Sequence, residues 1–232
     1  MSHSSRVLVI GAGGLGCPAL LALAPRVHTV GIVDHDRVEV SNLNRQILHR
    51  TEDVGRLKVQ SARDALVRRF PSLNVETLRA RVEPDNVEAV VRGWDVVIDG
   101  TDSLESKFLL NDFCVAASVP LVHGGCVRYS GQIMSVLPGL ACYRCLFEAP
   151  PPAGSAPSCS EAGIIGAFAG IIGALQAEEA LAILDGKPRL GGALLIIDGS
   201  PIIDGRAGRR RTVRIKRRAG CAAHQQLEAL SC

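Results

Sequence analysis

Val7-Leu-Val-Ile10-Gly11-Ala-Gly13-Gly14-Leu-Gly16-Cys-Pro-Ala-Leu-Leu-Ala-Leu23 decides the fold. A strand read over residues 6–10, whose last four residues are an apolar run, enters a glycine-rich turn, and a helical pattern (residues 15–23) leaves it. An uninterrupted apolar strand is the mark of a sheet buried on both faces. Glycines between strand and helix permit the tight turn and let backbone N–H groups approach a phosphate at the helix N-terminus.

Outward from this stretch, residues 29–34, 74–79, 96–99 and 121–123 read as further strands, and residues 58–70, 85–92 and 104–117 as helices. Strands alternating with helices predict a Rossmann-like, doubly wound α/β sheet, mostly parallel, with ligands at the carboxyl ends of its strands. The pattern then changes. Residues 132–137, 193–198 and 212–216 read as antiparallel strands that extend the sheet, with a long apolar helix over 163–184. Residues 148–157 (EAPPPAGSAP) are too rich in Pro, Gly and Ser to pack and read as a loop or crossover. Residues 223–232 lack an apolar face.

Composition narrows the class. Of 232 residues, 47% are hydrophobic and 21% charged, which excludes a disordered chain. Lys plus Arg number 26 against 23 Asp plus Glu, a net of +3 too mild to imply a polyanion partner. Aromatics make up 3%, which argues against a base-stacking surface. No signal peptide is read at the start. The longest uncharged apolar stretch, residues 162–177, is shorter than the roughly 20 residues of a membrane span and reads as a core helix. Eight cysteines without an export signal point to reduced thiols and a cytoplasmic protein.

Asp34 ends the second strand, where a carboxylate accepts hydrogen bonds from a ribose. Taken alone, this fingerprint leaves NAD, FAD and ATP open, as well as a glycine turn that only packs helix on strand. Ser41-Asn42-Leu-Asn-Arg45-Gln46 and Lys58 separate the cases. A triphosphate needs such donors, and then a carboxylate to hold Mg²⁺; Asp102, in Asp99-Gly-Thr-Asp102 at the end of the fourth strand, supplies one. The blander readings are that Asn42 caps a turn, that Arg45 is a surface cation, and that Asp99 or Asp102 caps the next helix. Cys142-Tyr-Arg-Cys145 reads as a C-x-x-C on a turn, the usual geometry for two ligands of one metal.

GAGGLG (11–16), D-x-D-x-V-x-x-SNLNRQ (34–46), VGRLK (54–58), DGTD (99–102), CYRC (142–145) and the run from PSCSEAG to LQAEEAL (157–181) occur in order. Together the sequence over residues 6–224 resembles the ThiF/MoeB/HesA family, adenylyltransferases related to ubiquitin-activating enzymes. The resemblance implies one domain over 1–224, with a nucleotide-binding half (1–125), a carrier-binding and zinc half (126–224) and a tail (225–232). It implies ATP-dependent adenylylation of the C-terminal glycine of a ubiquitin-fold sulfur carrier, MoaD- or ThiS-like, with release of pyrophosphate. A terminal carboxylate is already ionised at neutral pH, so such a reaction needs no general base. Family members are usually homodimers, and LFEAPPP with PSCSEAG leans toward the molybdopterin-type branch.

Carried onto this sequence, the family's nucleotide site falls on Gly11, Gly13, Gly14, Gly16, Asp34, Asp36, Ser41, Asn42, Arg45, Lys58, Asp102 and Ser103. Arg45, Lys58 and Asp102 (as the Mg²⁺ ligand) carry the catalytic roles, with Cys159 as a candidate nucleophile or sulfur-transfer thiol. Zinc falls on Cys142, Cys145, Cys221 and His224, where the family has a second C-x-x-C; Cys232 is the alternative fourth ligand. Cys17, Cys114 and Cys126 read as packing thiols.

The sequence departs from the family in two places. Relatives usually begin with a helix whose arginine reaches the partner subunit's ATP. Here the first strand starts at once, and Arg6 is no convincing substitute. Ser103 stands where the family usually has Asn. The eight basic residues from Arg206 to Arg218 read as a solvated sheet edge, or as a docking face for an acidic partner or RNA. An NAD-dependent oxidoreductase, a non-catalytic carrier-binding scaffold and a tRNA-modifying relative are the alternative functions; the paired metal motifs count against nucleic acid.

Overall fold

A computed structural model describes residues 4–150, 163–199 and 208–225. Eight strands form one sheet in the order β3-β2-β1-β4-β5-β6-β7-β8. β1 (Arg6–Ile10), β2 (Thr29–Val33), β3 (Asn74–Leu78), β4 (Val96–Asp99) and β5 (Leu121–Val127) are parallel. β6 (Ser130–Val136), β7 (Ala193–Asp198) and β8 (Arg209–Arg214) add antiparallel strands at one edge. This is the expected doubly wound sheet with its antiparallel extension.

The helices are α1 (Gly16–Leu23), α2 (Lys58–Arg69), α3 (Val87–Val91), α4 (Leu104–Ala116), α5 (Tyr143–Leu146) and α6 (Gly166–Leu184). Two apolar clusters cover the two sheet faces. One joins α1, α2 and α6 through Leu20, Leu66 and Ile172; the other joins α3 and α4 through Val91 and Leu110. α6 is the one described helix long and apolar enough to cross a membrane. It is apolar on most sides because it packs on both α1 and the sheet at β4, β5 and β6. A Cβ at Gly173 would lie 2.2 Å from the Leu15 carbonyl oxygen, so glycine is what lets α6 approach the start of α1.

Most boundaries shift from the sequence reading by one to three residues, and two of the differences have a visible cause. β5 continues four residues past His123, to Val127, and Gly124 lets the strand lie against α6, since a Cβ there would come within 2.3 Å of the Gln176 side chain. β8 begins at Arg209 instead of residue 212 and ends at Arg214, since its register on β7 pairs Arg209 with Asp198 and Arg214 with Ala193. Its arginines do line an open sheet edge, as expected of a strand that must discourage further pairing.

The chain order reverses at β1, whose neighbours are β2 and β4. In open α/β sheets, the crevice outside the carboxyl ends of the strands at such a point is where ligands bind. The loops after β1 and β4 meet there: Gly100 N–H donates to the Ile10 carbonyl at 2.8 Å, and a Cβ at Gly11 would lie 2.9 Å from the Gly100 oxygen.

Candidate active site

The four glycines after β1 divide into two kinds. Gly11 has φ of 94°, and Gly16 sits against it so tightly that a Cβ would lie 1.7 Å from the Gly11 oxygen. These two make the turn. Gly13 and Gly14 face the segment carrying the expected phosphate donors: the nearest atom to a Cβ at Gly13 would be Gln46 Nε2 at 3.8 Å, and at Gly14 it would be Arg45 Cγ and Cδ at 3.4 Å. Arg45 therefore lies over the glycine loop.

Ala12, inside the loop, is held at both of its backbone polar groups. Its N–H donates to Asp34 Oδ2 at 2.8 Å, and its carbonyl accepts from His49 Nε2 at 3.0 Å and from the Cys17 thiol at 3.3 Å. His49 Nδ1 in turn lies 2.8 Å from Ser61 Oγ on α2. Burial drives the ring's pKa below its ordinary value, which favours the neutral form with its proton on Nε2, the atom that donates to the Ala12 carbonyl. Burial pushes the Cys17 thiol up to about 12, so it is a packing and hydrogen-bonding group. Asp34 Oδ1 also accepts from Asp36 N–H at 2.8 Å. Each oxygen keeps a second lone pair for another donor.

Ser41 and Asn42 lie on a short 3-10 turn (Val40–Asn42). The Asn42 carbonyl accepts from the N–H groups of Arg45 and Gln46, so Asn42 does cap a turn, but with its backbone; its side chain donates to Ser41 Oγ at 3.4 Å. The half-buried Arg45 donates from Nη1 to the Ser41 carbonyl and to Asn44 Oδ1, both at 3.0 Å. Lys58 opens α2 with its side chain only 8% exposed, and its ammonium bonds Asp36 Oδ2 at 2.7 Å. Partial burial alone raises the Asp36 pKa, but the Lys58 ammonium outweighs it and holds the carboxyl below its ordinary value.

β4 ends at Asp99, and Asp102 lies three residues further on, exposed in the loop, so the sequence reading that put Asp102 at the strand end is corrected. Neither aspartate caps α4. Ser103 does: its Oγ accepts from Ser106 N–H at 3.2 Å and donates to Glu105 Oε2 at 2.7 Å. The Asp99 carboxylate, fully buried, accepts from four donors: Thr101 N–H at 2.9 Å, Thr101 Oγ1 at 2.7 Å, Lys107 Nζ at 3.0 Å and His123 Nδ1 at 2.7 Å. Burial works against its charge, yet these groups hold its pKa far below the usual carboxylate range. Arg6 is spent elsewhere, paired with Glu76 at 3.0 Å and laid over the Trp94 ring.

A second cluster sits where α5 packs against α4. Cys142, at the start of α5, lies 3.8 Å from Cys145 and 3.6 Å from Cys221, sulfur to sulfur, and the ligand atoms of Cys142, Cys145, Cys221 and His224 all fall within 4.8 Å of one another. The C-x-x-C is carried on the short helix α5, not on the bare turn expected from its spacing. Sulfurs bound tetrahedrally to one zinc at about 2.3 Å stand roughly 3.8 Å apart, so the spacing fits that ion. Burial and the neighbouring thiols push Cys142 up to about 12. Cys145, although burial opposes it, is held below the ordinary value by donors that include the Arg218 N–H at 3.4 Å. Cys159, Cys232 and Arg206 lie outside the described residues. Cys114 and Cys126 are buried, as packing thiols should be.

Sequence reasoning passed over His49, Ser61, Lys107, His123, Gln176 and Glu179. Gln176 Nε2 donates to the Asp99 and Val122 carbonyls at 2.8 and 3.1 Å, and Glu179 accepts from Ser135 Oγ and the Leu190 N–H at 2.8 Å each. Their one signal was a polar residue standing in an apolar run, as in LVHGG and LQAEEAL.

Comparison with known proteins places this architecture. Residues 2–223 match the ThiF family model. The SAMP-activating enzyme E1 of Haloferax volcanii is 46% identical over 198 residues, 84% of this chain and 73% of that protein. The sulfur carrier protein adenylyltransferase of Thermus thermophilus is 44% identical over 201 residues, 83% of this chain and 74% of that protein. The adenylyltransferase and sulfurtransferase MOCS3 of Anopheles gambiae is 44% identical, but the match spans only 44% of its length. Among solved structures, E. coli MccB superposes with a TM-score of 0.82 at 20% identity, over 95% of this chain and 67% of that one, a likeness of fold. With six ordered motifs, the switch-point crevice and a family match over nearly its whole length, the chain belongs to the ThiF family.

Proposed function

We propose that the protein adenylylates the C-terminal glycine of a ubiquitin-fold sulfur carrier at the expense of ATP. The observation that carries this reading is the convergence at one switch point of a glycine loop overlain by Arg45, the Lys58 ammonium, and the Asp34 and Asp102 carboxylates. The kinship with the Thermus and Haloferax enzymes supports it.

In this reaction one oxygen of the carrier's terminal carboxylate bonds to the α-phosphorus of ATP, the bond from that phosphorus to the bridging oxygen breaks, and pyrophosphate leaves with the electron pair. An acyl-adenylate remains. The difficulty is bringing an anion to a polyphosphate, so positioned cations supply the catalysis. Arg45 and Lys58 take that role, and Asp34 holds the ribose end while tying Ala12 in place. Asp102 is the residue to hold Mg²⁺, which supplies charge neutralisation of the polyphosphate; its exposed carboxylate beside the loop fits a hard cation. Gly13 and Gly14 leave the phosphates room; Ser103 acts as a helix cap beside them.

Zinc on Cys142, Cys145, Cys221 and His224 is structural, since four protein ligands leave no open position, and it ties the segment after β8 to α5. The protein acts as a homodimer. Ile165 and Ile171, at 39% and 45% exposed, face solvent at the start of α6, next to the loop that exposes Val40 and Ile47. The two are neighbours because Gly166 abuts Asn44 and Arg45.

The test is intact-mass measurement of MoaD-type and ThiS-type carriers after incubation with protein, ATP and Mg²⁺. One carrier should gain a single AMP at its C-terminus, and should not with Asp102→Ala. Unmodified carriers under conditions where ATP binds would refute the proposal.

A further inference from the structure

Asp99 has no direct route to a substrate, being 0% exposed beneath the loop that follows β4. Burying a carboxylate costs several kcal/mol, and well-packed apolar residues often serve stability as well as a buried ion pair does. A buried charge satisfied by four donors therefore calls for an explanation beyond stability. Two of those donors belong to Thr101, the residue before Asp102. The other two, Lys107 Nζ and His123 Nδ1, come from α4 and β5.

Each of these partners is itself fixed. Lys107 also donates to the Gly124 carbonyl at 2.7 Å. The His123 ring packs on Tyr143 with centroids 4.6 Å apart. Gln176 Nε2 holds the Asp99 carbonyl from the α6 side. Between Asp99 and Thr101, Gly100 is wedged so closely that a Cβ would lie 3.2 Å from both Gly16 N and the Ile10 oxygen. The turn cannot shift without moving the glycine loop.

We propose that Asp99, anchored by Lys107 and His123, is a positioning residue that fixes the turn through Thr101 and so holds Asp102 beside the glycine loop for its divalent cation. This rests on the reading of Asp102 as the metal ligand. The network acts on the site at one remove, as hydrogen-bond partners behind metal ligands do, where their loss costs about 10–100-fold in metal affinity.

The experiment is titration of Mn²⁺, followed by its EPR signal, into the full-length protein saturated with a non-hydrolysable ATP analogue. Wild type is compared with Lys107→Met, Lys107→Arg, His123→Leu and Asp102→Ala, each checked for folding by circular dichroism. Lys107→Met should weaken Mn²⁺ binding about tenfold or more. Lys107→Arg should restore most of the affinity. His123→Leu, which removes one bond, should give a smaller loss in the same direction and stands in if Lys107→Met does not fold. In pyrophosphate exchange the half-saturating Mg²⁺ should rise while the KM for the carrier stays put. Wild-type Mn²⁺ affinity in folded Lys107→Met or His123→Leu, with Asp102→Ala impaired, overturns the positioning role. Wild-type affinity in Asp102→Ala overturns instead the assignment of the metal to Asp102.

Discussion

The backbone of Gly16 stands against that of Gly11 so closely that one added methyl would fall 1.7 Å from the Gly11 carbonyl oxygen, whereas the same methyl at Gly14 meets first the side chains of Arg45 at 3.4 Å and Ala169 at 3.6 Å. Two glycines of one motif thus answer different demands, one of packing and one of access. Gly16→Ala should cost about 4 kcal/mol, roughly 10 °C in Tm for a domain of this size, because backbone must move. Gly14→Ala, whose methyl makes only ordinary contacts, should leave Tm within about 3 °C while narrowing the space between the loop and Arg45 and weakening nucleotide binding about tenfold, some 1.4 kcal/mol. Thermal melts beside ATP titrations check the contrast; equal effects on Tm would contradict it.

Lys58 is nearly buried and its counter-ion Asp36 is half exposed, so removing the ammonium leaves a carboxylate that water can still solvate. The fold should survive Lys58→Met. Adenylylation should fall by about 10²–10³, the range seen when one donor to developing charge is lost. Single-turnover rates with saturating ATP measure this, and a rate within threefold of wild type would remove Lys58 from the mechanism.

The cluster of Cys142, Cys145, Cys221 and His224 predicts one zinc per chain. Its removal should loosen the segment after β8, since Cys221 and His224 are the ligands that join it to α5. Atomic absorption should find a stoichiometry near one. Chelation at elevated temperature should lower Tm and open the peptide bonds around residues 218–225 to protease. Cys145→Ser should do the same without a chelator. Metal-free protein with wild-type Tm would show that the cysteines only pack.

Acid should act in two stages. Burial holds His49 and His123 below the ordinary histidine value, so both are neutral in the folded state. The unfolded chain takes up protons on them below about pH 6.5, more than the native chain does, so stability rises with pH in that range and is lost as pH falls from about 6.5. Asp99 lies on the other side: its pKa is depressed on folding, so its contribution is present above the unfolded value of about 3.9 and is lost below it. Urea midpoints at pH 7.5 and 5.5 should differ, and His49→Gln should shrink the difference. An unchanged difference in His49→Gln would take that histidine out of the account.

Much of this was legible in the sequence, and the reason is physical. β1, β4 and β7 are short apolar runs whose bounds follow from local composition, and Asp34, Arg45, Lys58 and Asp102 stand at fixed offsets from them. The cluster of Cys142, Cys145, Cys221 and His224 was legible because a C-x-x-C and a C-x-x-H are local patterns, though only folding brings Cys142 within 3.6 Å of Cys221. What escaped is what depends on partners far away in the chain. Asp99 meets His123 across 24 residues and Gln176 across 77, and no local pattern announces either pairing. Ser103, placed in a nucleotide motif, also occupies the position that caps α4, and the cap engages its hydroxyl, a second role that the motif alone does not announce.

Activation of a carrier's terminal carboxylate with ATP is the work proposed for Arg45, Lys58 and Asp102. Carrier-dependent ATP–pyrophosphate exchange tests it most directly, with MoaD-type and ThiS-type carriers assayed side by side in the presence of Mg²⁺. The predicted result is exchange with one of them, abolished in Asp102→Ala and in a carrier lacking its last glycine. Exchange that needs no carrier, or none with either carrier despite measurable ATP binding, would contradict the account.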